Sequence, residues 1–411
     1  SNGGARGLVT ARSTDGGRRW NEREVPFGAC ARRGSNVVRI SSPSLSIGPE
    51  GVAYLAASAM SAASFSATGS ADAEAPFDTL LVATSRNDGA SWTNLHSLPF
   101  NAGTVTKVSM TADPRRRGTA YVVWDSDVGS WFSRTTNGGT SWSKPTLIVP
   151  GQPTLPVSAG NVIIVDPRTD TLDLVYDLIH PVSKPRTYCG EWAGRRGCHS
   201  YSSPAGLAPE GVDLMIMSSR DGGRTWSRSG LIAQDLGIGR VGPRDSEWTW
   251  TALHRPAAAA DPRTGDISVV WQDSRFSLGR FDEVALSISD RNGQHWSTPV
   301  RVDSGKGAAV LPSVAINSRG VTGIAYYQLR GLPAGLRIPA ADYWFRAAAA
   351  AGHLAAPRRV TGPLELGRSP LAVAPFIVHT EGMASVGATF HPVFVVTRGM
   401  LQTDVVAATI P

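Results

Sequence analysis

Cysteine, lysine and long apolar runs are what this chain has least of. Three cysteines occur in 411 residues. Cys30 stands alone, whereas Cys189 and Cys198 flank a short loop and read as a disulfide in a secreted protein. Only His199 stands beside that pair, so neither a metal nor any other cofactor is expected. No apolar stretch approaches the ~20 residues of a membrane-spanning helix. No signal peptide precedes Ser1-Asn2-Gly3-Gly4, and the chain is read as a mature or trimmed secreted protein that makes no use of a membrane. Lysine is confined to Lys107, Lys144, Lys184 and Lys306, so the formal charge of +7 is carried by arginine. The arginines are scattered rather than gathered in runs. That argues against nucleic acid and leaves an anionic carbohydrate as the partner a basic surface suits.

Glycine and proline are plentiful instead, at 44 and 28 residues. They punctuate one short motif that keeps returning. It reads Ser13, Asp15, Gly17, Trp20, then Ser85, Asn87, Gly89, Trp92, then Thr135, Asn137, Gly139, Trp142. Ser219, Asp221, Gly223, Trp226 and finally Ser289, Arg291, Gly293, Trp296 complete the series. A fixed spacing repeated along a chain marks a structural unit. Each copy follows a strand-like run and precedes another, so it belongs to a hairpin turn. The Asp or Asn can accept from the turn's own amides, the glycine permits positive φ, and the tryptophan is an apolar plug. Arg291 at the acid position fits a structural motif, since a catalytic carboxylate would not be exchanged so freely.

A second repeat is interleaved with the first. It is a strand, a tight turn and a strand ending in an aromatic residue: Ser44–Ile47 with Val52–Ala57, Val108–Ala112 with Thr119–Trp124, Val162–Val165 with Leu172–Tyr176. Pro256–Ala260 with Ile267–Trp271, Val314–Asn317 with Val321–Tyr327, and a looser Val373–His379 with Ala384–Val396 follow. Asp-Pro-Arg turns recur at 113–115, 166–168 and 261–263. Six such hairpins, each followed by outer strands, predict an all-β chain folded as a single six-bladed β-propeller over 1–411. The segment Trp20–Pro26 is expected to complete the last blade, so that the N- and C-terminal strands close the ring and no free edge remains. Gly7–Arg12 also resembles a third strand, which leaves seven blades as the alternative.

The long connections, Gly28–Ser42, Ser58–Asp78, Ile179–Gly211, Gln234–His254 and Leu364–Ser369, all fall on the face opposite the repeated turns. Long loops on a rigid scaffold are where function concentrates. Candidate anion-binding groups there are Arg39, Arg275, Arg330 and Arg368, with Arg398 at a similar strand end. The alternative is that these arginines pair with Asp273, Asp282 or nearby carbonyls. Candidate acids are Asp72, Asp78 and Glu247, with Glu74, Asp245 and Asp273 near them; glycoside hydrolysis needs two. Trp248 and Trp250 can stack on a sugar or staple their own loop, and His254 ends the same stretch.

The repeated motif resembles the Asp-box (BNR) repeat of the sialidase-like superfamily of β-propellers, most closely at 13–20 and 219–226. That resemblance implies a secreted glycoside hydrolase, acting as a monomer on an acidic or unusual glycan. It implies a first arginine at Arg39, an acid/base at Asp72 or Asp78, a glutamate at Glu247 and further arginines at Arg275 and Arg330. The family's nucleophilic tyrosine has no counterpart between Ala372 and Pro411, so Tyr326 or Tyr327 would have to serve. Two other readings stand beside this one. One is a lyase on uronic-acid polysaccharide, working through His180, His199, His254 or His391 with Tyr188. The other is a propeller that binds glycan or protein without catalysis.

Overall fold

A computed structural model describes residues 5–28, 35–67, 77–99, 103–151, 157–181, 187–192, 195–200, 210–237, 256–290, 293–304, 307–330, 340–349, 353–365, 382–399 and 402–411. The fold is all-β, a six-bladed β-propeller; the described helices are one short segment, Ala62–Ala67, and a 3-10 turn at Arg275–Ser277. The chain divides into two compact units, Ser1–Leu174 with Ser218–Arg228, and Val175–Met217 with Ser229–Pro411.

In the first unit, blade one is Val37–Ile47, Ala53–Ser61, Thr79–Ser85 and Thr93–Leu98. Blade two is Thr106–Ala112, Ala120–Ser126, Gly129–Thr135 and Thr146–Pro150. Blade three, Val157–Val165, Leu172–Pro181, Glu210–Ser219 and Gly230–Asp235, contributes to both units. In the second unit, blade four is Ala257–Ala260, Ile267–Asp273 and Glu283–Asp290, with an outer edge split into His295–Trp296 and Val300–Arg301. Blade five is Ala309–Ile316, Thr322–Leu329, Ala340–Ala348 and Arg358–Glu365, and blade six is Gly382–Val386, Thr389–Gly399 and Gln402–Ala407.

The second strand of each blade is the most deeply covered. Ala120–Ser126, Ile267–Asp273 and Thr322–Leu329 are buried at every position. Strands covered on both faces read as continuous apolar runs rather than alternation. Trp124, Trp271, Tyr54, Tyr121, Tyr176 and Tyr326 fill the space between sheets, each aromatic burial stabilising by about 2–3 kcal/mol.

The repeated motif has the same bonding in four copies. The hydroxyl of Ser13, Ser85, Thr135 or Ser219 accepts from the amide of Gly17, Gly89, Gly139 or Gly223 at 2.8–3.0 Å. It also donates to the acid or amide side chain two residues on. Those glycines have φ of 78–86°, where a Cβ is strained. Trp92 is 7 % exposed and Trp226 meets Phe132 edge-on, but Trp20 is 48 % exposed, so the plug role fails in the first copy.

The Asp-Pro-Arg turns show why their residues recur. Asp113 accepts from the amides of Arg115 and Arg116, Asp166 from Arg168, and Asp261 from Arg263. The arginines reach onward: Arg115 donates to the carbonyl of Arg168, and Arg263 to that of Arg319. At two junctions the second repeat therefore ties a turn to its successor in the next blade.

Two features differ from the sequence expectation. In blade six a turn at Gly387 and Ala388 divides the expected strand Ala384–Val396, separating Gly382–Val386 from Thr389–Gly399; Thr380 and Glu381 lie outside the described residues. Ser318 of blade five donates to the carbonyl of Gly387, as expected of neighbouring turns. Val373–His379 lies outside the described residues. At the N-terminus, Asn21–Val25 pairs with Leu8–Arg12. Leu8, Val25 and Phe27 pack with Leu55, Ala57 and Trp92 of blade one, and Trp92 donates to Thr10.

Candidate functional site

The innermost strands carry a device absent from the sequence reading. In blades one, two and five the register with the second strand slips by one residue at Ser41/Ser44, Thr106/Ser109 and Val310/Ser313. The extra residue sits in the left-handed region at Ser42, Lys107 and Leu311, with φ of 47–52°. Gly160 of blade three does the same at 70°. These are β-bulges, on the long-loop side of the strand. Two of the freed amides, at Gly160 and Leu311, are claimed from the preceding blade. Asp125 accepts from Gly160 at 2.8 Å and also from the Asn161 side chain, and Gln272 accepts from Leu311 at 2.9 Å. A polar residue after the second-strand aromatic thus clasps one blade to the next.

Within the first unit, Arg39 lies half-buried on the inner strand and donates to the Val38 carbonyl. Asp78 accepts from the amide and hydroxyl of Ser61, at 3.0 and 2.6 Å. Ser61 in turn caps the short helix through Ser64. Asp78 thus closes its own loop. Asp72 lies outside the described residues, as do Glu247, Trp248, Trp250, His254 and Arg368.

The second unit concentrates ionisable groups at the strand ends of the same face. Arg275 is bidentate on Asp273, at 2.8 and 2.7 Å, donates to the Gln234 carbonyl, and lies 5.8 Å over the Trp271 ring. Trp271 donates to the same carboxylate at 2.8 Å. The side chain of Asp273 is fully buried and that of Arg275 is 9 % exposed. Arg330 is bidentate on Asp342, which also receives Arg359. Arg275 thus pairs with Asp273, one of the partners the sequence offered, whereas the partner of Arg330, Asp342, was not among them.

Tyr327 is fully buried, packed edge-on against Tyr343. Its hydroxyl donates to the carbonyl of Val395 and accepts from the same residue's amide, both at 2.9 Å. It is a core residue joining blades five and six, and a nucleophile's hydroxyl would need to be free of such a bond pair. Tyr326 is buried as well.

Sequence reasoning missed the acids around Asp273. Asp235, at the end of blade three's outer strand, is held well above the usual carboxylate range by burial and by Asp177 and Asp273. Glu283, fully buried, is raised to about 8 by burial, against Arg301, with Asp303, Asp273 and Asp282 adding to the rise. Arg301 pairs with both Glu283 and Asp303. The available signal was charge abutting apolar runs, as in Phe281-Asp282-Glu283-Val284 and Val302-Asp303. Beside this buried group, His180 Nε2 lies 2.8 Å from Asp213 Oδ2 across blade three, with side chains 26 % and 20 % exposed. A carboxylate so placed orients an imidazole.

No family model matches the sequence, and no curated protein does. Solved structures do match in three dimensions. A protein of unknown function from Dyadobacter fermentans shares 12 % identity, with 90 % of this chain and 94 % of that one covered and a TM-score of 0.52. The NanB sialidase of Streptococcus pneumoniae shares 10 %, covering 88 % of this chain and 66 % of that one, also at 0.52. An α-L-arabinanase of Penicillium chrysogenum shares 12 %, covering 90 % and 93 %, at 0.49. By its blades and its likeness to the Dyadobacter and Streptococcus structures, the chain has a β-propeller fold like that of the NanB sialidase.

Proposed function

We propose that the protein is a glycan-acting enzyme, a glycoside hydrolase that works on an acidic or unusual glycan through the long-loop face. The observation that carries this reading is the gathering of carboxyls at the strand ends of blades three and four, some paired with arginine and others pushed by burial above the usual carboxylate range. Glycoside hydrolysis runs on carboxyl groups in opposite protonation states. Asp273 with Arg275 and Glu283 with Arg301 are buried, and their part is to fix the field and the strand ends beneath the face. A second reading, elimination from a uronic acid, is favoured by one contact: His180 on Asp213 is the arrangement of a base with its orienting acid.

A panel of sialosides, uronic-acid polysaccharides and neutral glycans, followed together by reducing ends and by ultraviolet absorbance of unsaturated products, tests both. Reducing ends alone support hydrolysis. Absorbance, lost on His180→Ala and reduced on Asp213→Asn, transfers the reading to a lyase. Neither signal across the panel overturns both and leaves a binding propeller. Arg275→Ala is a poor probe here, because it strands a buried Asp273 and costs about 3–5 kcal/mol of stability.

A further inference from the structure

A cleft of about 450 Å³ opens between blades four and five, at the end bearing the repeated turns and away from the long loops. Its origin is legible. At three other junctions the motif glycine of one blade seats on the third strand of the blade before: Gly139 on Thr84, Gly223 on Phe132 and Gly293 on Ile216. Blade five has no copy of the motif. Where the motif would fall, the sequence reads Ala347-Ala348-Ala349-Ala350-Ala351-Gly352, of which 350–352 lie outside the described residues. The third strand of blade four therefore keeps its equivalent side chains, Leu286 and Ile288, as cleft wall, with Ala349 across from them.

The walls are apolar and the rim is not. Trp296, half-buried, contributes an indole. Asp266 is half-buried on one side, and Asp290 stands on the other, paired with His295 at 3.2 Å. The hydroxyls of Ser268 and Thr322, 3.0 Å apart, line the interior. The volume is that of a small-ligand site. An aromatic face beside carboxylates and an imidazole matches a ring with an apolar face and vicinal hydroxyls, since carboxylates accept two such hydroxyl bonds. The same carboxylates repel an anion.

We propose that this cleft is a second carbohydrate site, binding a neutral sugar unit in the slot left by the missing motif. It stands apart from the long-loop face and requires no catalysis. The test uses the full chain, with saturation-transfer NMR and calorimetric titration of methyl β-D-galactopyranoside and methyl α-L-arabinofuranoside. The methyl glycoside of N-acetylneuraminic acid and methylammonium serve as anionic and cationic controls. At least one neutral glycoside binds with an affinity of about 1 mM. Asp266→Asn with Asp290→Asn, both outside the core, weakens it at least about tenfold, or ~1.4 kcal/mol. Ala349→Trp, which refills the slot from an exposed position, abolishes it without lowering Tm. Absence of binding by both neutral glycosides, preference for either control, or binding unchanged in Ala349→Trp would overturn the proposal.

Discussion

Glu283 shows how a single residue couples this fold to pH. Its carboxyl keeps a proton up to about 8 in the fold, against an ordinary value of 4.5. Asp173, raised by burial to about 7 from 3.8, behaves alike. A folded value above the unfolded one means that the folded chain holds the proton more tightly. That stability is fully present below the unfolded value and is lost as pH rises through the folded one. The melting temperature is therefore expected to fall between pH 5 and pH 8.5, and Glu283→Gln to flatten that fall. An unchanged slope in the variant would show that Glu283 titrates normally. Tyr327 supplies a second residue-scale expectation. Tyr327→Phe strands an amide and a carbonyl of Val395 and costs about 1–3 kcal/mol in denaturant unfolding, while glycan turnover per folded molecule stays at the wild-type level. A selective loss of turnover would return the hydroxyl to the chemistry.

At the scale of elements, the motif turns rank by what lies over their glycines. A Cβ on Gly223 would meet the Phe132 ring at 2.2 Å, whereas one on Gly16 meets nothing within 4 Å. Both have positive φ. Gly16→Ala then carries backbone strain alone, about 1–2 kcal/mol, and Gly223→Ala adds a clash with a packed ring and exceeds about 3 kcal/mol. Chemical unfolding of the two variants side by side checks the order; equal losses would mean that the ring moves aside freely. The turns were legible in the sequence because their chemistry is local. Ser, Asp and Gly bond within five residues of one another. The blade-six turn at Gly387 and Ala388 was not legible for the converse reason: it has little turn chemistry of its own, and its carbonyl at Gly387 is bonded by Ser318 of another blade. The bulges at Ser42, Lys107 and Leu311 carry no glycine, and only the register of the strand pairing discloses them. Arg275 was noticed for its position, but its partner, Asp273, stands two residues away and consumes it.

At the scale of the whole molecule, charge is the property that the composition alone dictates. With +7 spread over scattered arginines, several of them paired, attraction to a polyanion is a diffuse field rather than a set of contacts. Retention on an immobilised polyuronic acid is expected to be strong at about 0.01 M salt and largely gone by about 1 M, as the screening length shrinks from about 30 to 3 Å. Retention that survives high salt would point to a formed pocket for the acid groups. Fold class was readable at this scale because six hairpins of one pattern admit few arrangements. The site was less so, because a buried acid such as Asp235 acquires its character from Asp177 and Asp273, on strands well separated from it in sequence.

The bulge in the innermost strands has an evolutionary consequence. Side chains alternate faces along a strand, and an inserted residue resets that count. Positions before it, such as Ile40 and Ser41 or Val310, are read in one phase, and those after it in another. The end of the strand that meets the long loops can thus accept new residues while the end that stacks blade on blade keeps its own pattern. Each bulged blade is in effect a fixed cassette with an interchangeable tip, and variation confined to those tips is a route by which one scaffold comes to present different surfaces.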